Sequence, residues 1–155
     1  MASLWTTYAA LRSEIGNTIA ENVNTLRNAY KDKDSAFSFA GYEETDVSKR
    51  FTGRPRQVRI GTNVEHLKYE YIASTFRGHR LRIPIEISYP STGTWPIAAL
   101  DDYDLIAEYF RDNTRSTSGV QLCVCDLDVP PRLEPHEKDP WVFLRFAMLA
   151  IVEVS

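Results

Sequence analysis

This chain is short of the residues that most chemistry needs. It has two cysteines and three histidines in 155 residues, so soft metal ligands and catalytic bases are scarce. Cys123 and Cys125 stand one residue apart on what reads as a single strand, with His66, His79 and His136 scattered elsewhere. That pattern does not match the paired ligand spacing of a closed zinc site. A disulfide between strand positions so close together is strained, which predicts free thiols and a reducing compartment. The seven glycines are dispersed, with no G-x-G-x-x-G or G-x-x-x-x-G-K-S/T run to cradle a phosphate. Asp126, Asp128, Glu134, Glu137 and Asp139 are split by prolines and lack the spacing of a calcium loop. Positive charge is also limited: 18 Lys and Arg against 21 Asp and Glu leave a net charge of -3, which argues against wrapping nucleic acid. The longest apolar run, Phe146 to Val152, falls far below the roughly 20 residues of a membrane helix. Met1 to Leu11 has no basic start ahead of an apolar core, so neither export nor a membrane anchor is expected. Together these absences predict no enzyme, no metal and no cofactor.

What the chain does have is the composition of one ordinary globular domain over residues 1–155, with 43% hydrophobic and 25% charged residues. Its cleanest pattern lies between Arg80 and Tyr89. Leu81, Ile83, Ile85, Ile87 and Tyr89 alternate with Arg82, Pro84, Glu86 and Ser88, which predicts a strand with one buried and one wet face. Turn formers fill Pro90 to Pro96. A helix is then expected from Asp101 to about Asn113, with Leu105, Ile106, Tyr109 and Phe110 on its apolar stripe and Asp101, Asp102 and Asp104 serving as start-of-helix caps.

Leu4, Tyr8, Leu11, Ile15, Ile19, Val23, Leu26 and Tyr30 recur at steps of three and four and predict a long amphipathic helix from about Ser3 to about Tyr30, with Gly16 either a solvated weak point, the favoured reading, or a bend or close contact. Short strands are expected at Ala36 to Phe39 and Gln57 to Gly61. Another runs from Leu67 to Phe76 and turns through Arg77-Gly78-His79 into the Arg80 strand. Val120 to Val129 reads as a strand stopped by Pro130-Pro131, and Pro135 to Pro140 as a loop. The fold class that follows is α+β: an antiparallel or mixed sheet with a long N-terminal helix and a second helix packed on one face.

Two stretches suggest contacts beyond the core. From about residue 41 to 56 the pattern is lost, which predicts a mobile loop. Arg50, Arg54 and Arg56, with Arg59 just beyond, form the one basic concentration, either a solvated loop or an arm for a phosphate backbone or an acidic protein surface, of which the acidic balance of the chain favours the protein surface. Trp141 to Val154 is a strand with two apolar faces: Val142, Leu144, Phe146 and Met148 on one, Phe143, Ala147, Leu149 and Ile151 on the other. The helices can cover one face; the second needs cover from this chain or from a partner. Arg50, Arg54, Arg56, Arg59, Phe143, Leu149 and Ile151 are therefore the candidate interface residues.

The order of elements, with Arg82-Ile83-Pro84-Ile85-Glu86-Ile87-Ser88-Tyr89-Pro90, the Asp101-Asp102-x-Asp104-Leu105-Ile106 helix and the closing Trp141-Val142-Phe143-Leu144-Arg145-Phe146 strand, resembles the tail terminator proteins of long-tailed bacteriophages over about half the chain. The resemblance implies a structural virion protein, assembled in the host cytoplasm, that forms a hexameric ring. Such a ring caps the tail tube protein, meets the head-tail connector, and lets DNA through its acidic bore without specific binding. Neck and head-completion proteins of the same assembly are a close alternative. A small dimeric bacterial α+β ligand-binding module, walled by Tyr69, Tyr71 and Trp95, is the reading from another class.

Overall fold

The computed structural model describes residues 4–23, 37–42, 55–61, 65–73, 76–113, 120–135 and 140–154. Two long strands, β4 (Phe76–Pro90) and β7 (Trp141–Val154), pair antiparallel along their whole length, from Arg77 opposite Val154 to Pro90 opposite Trp141. Each outer edge of this pair carries two shorter strands end to end. Beside β4 lie β2 (Gln57–Ile60), which pairs with its C-terminal half, and β3 (Glu65–Ala73), which pairs with its N-terminal half. Beside β7 lie β5 (Val120–Cys125) and β6 (Arg132–Pro135). β1 (Ser38–Tyr42) joins β2 in parallel, so the seven-stranded sheet is mixed and the fold is α+β.

The alternation in β4 is obeyed on its apolar side: Leu81, Ile83, Ile85, Ile87 and Tyr89 are all buried. Register sets Ile83 opposite Met148, Ile85 opposite Phe146 and Ile87 opposite Leu144, so β4 and β7 present one continuous apolar face. Two helices cover it. α1 (Leu4–Thr18) continues as a π-helical turn over Ile19–Val23 and packs on β1 and β2 through Leu11, Ile15 and Ile19. α2 (Trp95–Asp112) packs on β4, β5 and β7 through Ala99, Tyr103, Ile106 and Phe110, with Tyr103 edge-on to Phe146 at 5.2 Å between ring centroids.

Several sequence expectations need correction. The N-terminal α-helix is 15 residues, and the π turn adds a residue to the last turn, breaking the 3.6 phase that the apolar spacing extends to Tyr30. Residues 24–36 lie outside the described residues. Gly16 is buried, not solvated. Arg77, Gly78 and His79 are no turn, because β4 already runs through them and all three are paired on both sides, with β3 and with β7. The fifth strand ends at Cys125 because Asp126 turns the chain, its carboxylate accepting from the Asp128 amide at 3.0 Å and its carbonyl from the Val129 amide at 3.1 Å. A strand, β6, then follows Pro130-Pro131 where none was expected. Of the expected loop, Gly41 and Tyr42 belong to β1, and residues 43–54 lie outside the described residues.

Gly61 leaves β2 in close contact with β4: its amide donates to the Pro84 carbonyl at 3.0 Å, and a Cβ there would stand 2.7 Å from the Pro84 ring. The Ile85 side chain lies fully inside the helix-covered face. Ile85→Asp is therefore expected to destabilise the fold by about 4 kcal/mol or more, because it buries an unpaired charge. Urea unfolding checks this, and a variant within about 1 kcal/mol of wild type would mean that the face is not the core.

Candidate interaction surface

Three constructions use the polar residues of this chain, and the first ties α2 to the sheet. Asp102 falls one helical turn after Ala99 and beside Tyr103, on the inner stripe of α2, and is fully buried. Its Oδ2 accepts from Arg56 Nε at 2.6 Å and from the Tyr89 hydroxyl at 2.6 Å, while Oδ1 accepts from Arg56 Nη2 at 3.4 Å. The Arg56 guanidinium lies 5.0 Å from the Trp95 ring centre, 5.8 Å from that of Phe37 and 6.0 Å from that of Tyr89. Backbone geometry supports the clamp: Arg56 takes a φ of 56°, and its amide donates to the Ser88 carbonyl at 2.6 Å.

This arrangement overturns the capping role expected of the aspartates. α2 begins at Trp95, with Pro96 in its first turn, where a missing amide proton costs nothing. Asp101 and Asp104 are thus exposed residues within the helix body, and Asp102 is the partner of a buried cation. Arg56 is correspondingly no part of an exposed arm.

The second construction crosses the opposite face of the sheet. Arg59 on β2, Glu86 on β4, Arg145 on β7 and Glu134 on β6 form a row of alternating sign. Arg59 stands 3.8 Å from Glu86, Arg145 reaches Glu86 at 3.0 Å and Glu134 at 2.6 Å, and Arg132 lies 3.6 Å from Glu134. Phe143 lies under the row, 4.9 Å from the Arg59 guanidinium and 5.7 Å from that of Arg145. A second cluster sits further along β4, where Arg82 Nε donates to Asp126 at 2.7 Å and Nη1 reaches Glu65 at 3.4 Å. The hydrogen bond to Asp126 is the largest influence raising the Arg82 pKa. The expected wet face of β4 is therefore a paired one, with Glu86 and Arg82 half-buried and Ser88 buried.

Of the candidate interface residues, Arg50 and Arg54 lie outside the described residues. Arg56, Arg59, Phe143 and Ile151 are buried within the single subunit, whereas Leu149 is half-buried. At Phe143, Ala147 and Ile151 the second face of β7 already has cover without a partner.

The third construction is a groove of about 720 Å³ at the outer edge of β5. Ala107, Val124, Leu127 and Leu149 supply apolar lining, and Asp104, Glu108, Arg111 and Asp128 stand around it. Leu127 is 86% exposed at the tip of the Asp126 turn.

Burial pushes both Cys123 and Cys125 up to about 12, with the Tyr103 contact opposing the shift at Cys125, so both are neutral thiols at physiological pH. His66 and His79 approach through their ring nitrogens, with ring centres 4.7 Å apart. Among the described residues no group of three or more His, Cys, Asp or Glu is placed to hold a metal ion. Trp95 packs over Arg56, and the Tyr69 and Tyr71 side chains lie outside what is described. The sequence matches no protein-family model and no curated protein.

Asp102→Asn leaves Arg56 buried beside a neutral partner and should cost about 3–5 kcal/mol in urea unfolding. Tyr89→Phe, which removes one hydrogen bond, should cost about 1–2 kcal/mol. Equal small losses in the two variants would contradict the clamp.

His79 is held below its ordinary value of 6.5, first by burial and then by neighbouring His66. Its unfolded form then binds a proton more readily than its folded form. The contribution to stability is thus fully present above pH 6.5 and is lost as pH falls through the lower folded value. Urea midpoints measured between about pH 7.5 and pH 5 should fall less in His79→Gln than in wild type.

Proposed function

We propose that the chain is a structural assembly subunit of the tail terminator type, working as a ring that caps a tail tube and meets the head connector, and turning over no substrate. One observation carries the reading. Among the described residues, the buried and half-buried charges of the Arg56–Asp102 clamp and of the Arg59–Glu86–Arg145–Glu134 row are paired with one another. The large apolar side chains exposed among the described residues, Ile97, Leu100 and Leu127, instead belong to α2 and the turn after β5. A protein built this way offers surface to a neighbour. The likeness of the Arg82 to Pro90 and Trp141 to Phe146 segments to tail terminators supplies the particular assembly. On this reading the partners are further copies of the chain, the tail tube protein and connector proteins. The protein's place is the neck of a virion, and DNA crosses the ring without specific contacts.

No helix among the described residues is long and apolar enough to cross a membrane. The test is physical. Light scattering on the purified chain, alone and with its cognate tube protein, should give a closed ring near six times the 17.7 kDa subunit, and negative-stain images should show it at tube ends. A protein that stays monomeric or dimeric at every concentration and never caps tubes would remove the reading. A stable dimer with a bound small molecule would install the ligand-binding module in its place.

A further inference from the structure

The groove beside β5 combines three features that separately mean little. Its lining is mainly apolar, from Ala107, Val124 and Leu149, and Leu127 adds a large apolar side chain that no described residue covers. That leucine is presented rigidly. Asp126, directly before it, is locked by Arg82 at 2.7 Å, by the Asx turn to Asp128, and by its own amide donating to the Ala147 carbonyl at 2.9 Å. A loose loop could fold such a side chain away; this turn holds it out.

Charge is the second feature. Asp104 and Glu108, one turn apart on α2, and Asp128 across the groove are all exposed and acidic. The one cation at the rim, Arg111, stands 3.6 Å from Asp112. Asp126 is consumed by Arg82, so the carboxylates facing solvent set the sign of the rim. Apolar Ile97 and Leu100 precede Asp104 at helical spacing on α2, and both are exposed, so the apolar strip continues past the groove.

The third feature is the strand itself. β5 ends the sheet order on this side, paired with β7 along one edge only among the described residues. An outermost strand offers amide and carbonyl groups to an added strand. We propose that this groove docks an extended, basic segment of a partner protein. The segment adds to the edge of β5, sets one large apolar side chain beside Leu127, and places lysine or arginine against Asp104, Glu108 and Asp128. The inference goes beyond the ring reading and does not depend on it, because docking is read on the isolated chain.

The probe is a set of fluorescein-labelled ten-residue peptides carrying a single Leu, Phe or Trp between alternating lysines, with matched peptides in which every lysine is glutamate. Fluorescence anisotropy should give saturable binding of at least one lysine peptide with a dissociation constant of about 1–100 µM, and none of the glutamate set. The double variant Asp104→Lys, Glu108→Lys should weaken binding by about tenfold or more, and Leu127→Ser should weaken it independently. Circular dichroism confirms that these surface variants remain folded. Hydrogen exchange should show the amides of Val120 to Cys125 gaining protection when peptide is bound. The proposal is overturned if no lysine peptide binds below about 1 mM, if the glutamate peptides bind equally, or if the charge-reversed variant binds like wild type. Binding without protection of β5 overturns it as well. A lack of peptide binding in a chain that still forms rings would end this proposal and leave the ring reading standing.

Discussion

The ladder between β4 and β7 is the constraint on which every other element depends. Among the described residues these two strands form the only pairing that runs the full height of the sheet, and each short strand attaches to one of them or, for β1, to β2. A one-residue slip in this ladder would turn Ile83, Ile85 and Ile87 away from the helices and drive Arg82 and Glu86 into the core. Register is thus held by burial on one face and by the Glu86–Arg145 contact on the other.

The clamp at Asp102 does a different job. Apolar packing alone would let α2 slide or rotate over Phe146 and Met148 at modest cost, since one apolar contact replaces another. A buried carboxylate that must meet both Arg56 and the Tyr89 hydroxyl accepts one position of the helix. A buried ion pair adds little net stability, because desolvating both charges offsets much of their attraction. Its value here is geometric: it joins the start of β2, the end of β4 and the first turns of α2 at a single point.

The strands with strong period were readable from sequence, and the polar constructions were not. β7 was legible from Trp141 to Val154 because the long, mostly apolar run after Pro140 leaves few alternatives, and β4 from Arg80 to Tyr89 because its alternation is complete. The start of α2 was misread because Pro90 to Pro96 is rich in turn formers, although proline suits a first helical turn. Asp102 was hidden for a related reason. A carboxylate near an assumed helix start reads as a cap, and only its place three residues after Ala99 on the buried stripe marks it as interior. The charge row left a faint trace, with Arg or Glu at outward positions of four strands. Pairing most of those strands needs tertiary information, since β2, β4 and β7 are separated along the chain by other elements.

That separation has a consequence for how the molecule reaches its native state. β3 and β4 are neighbours in sequence and can zip together early, before the rest of the sheet exists. The partner edge of β4 must wait for β7, which arrives only after α2, β5 and β6 have been traversed, so the central ladder closes a very large loop. Topologies dominated by such distant pairings fold slowly, and an apolar strand awaiting its partner is the surface most prone to mispair. The arginines and glutamate on the far side of β4 are charges of the kind that disfavour mispairing of an apolar strand still without its partner.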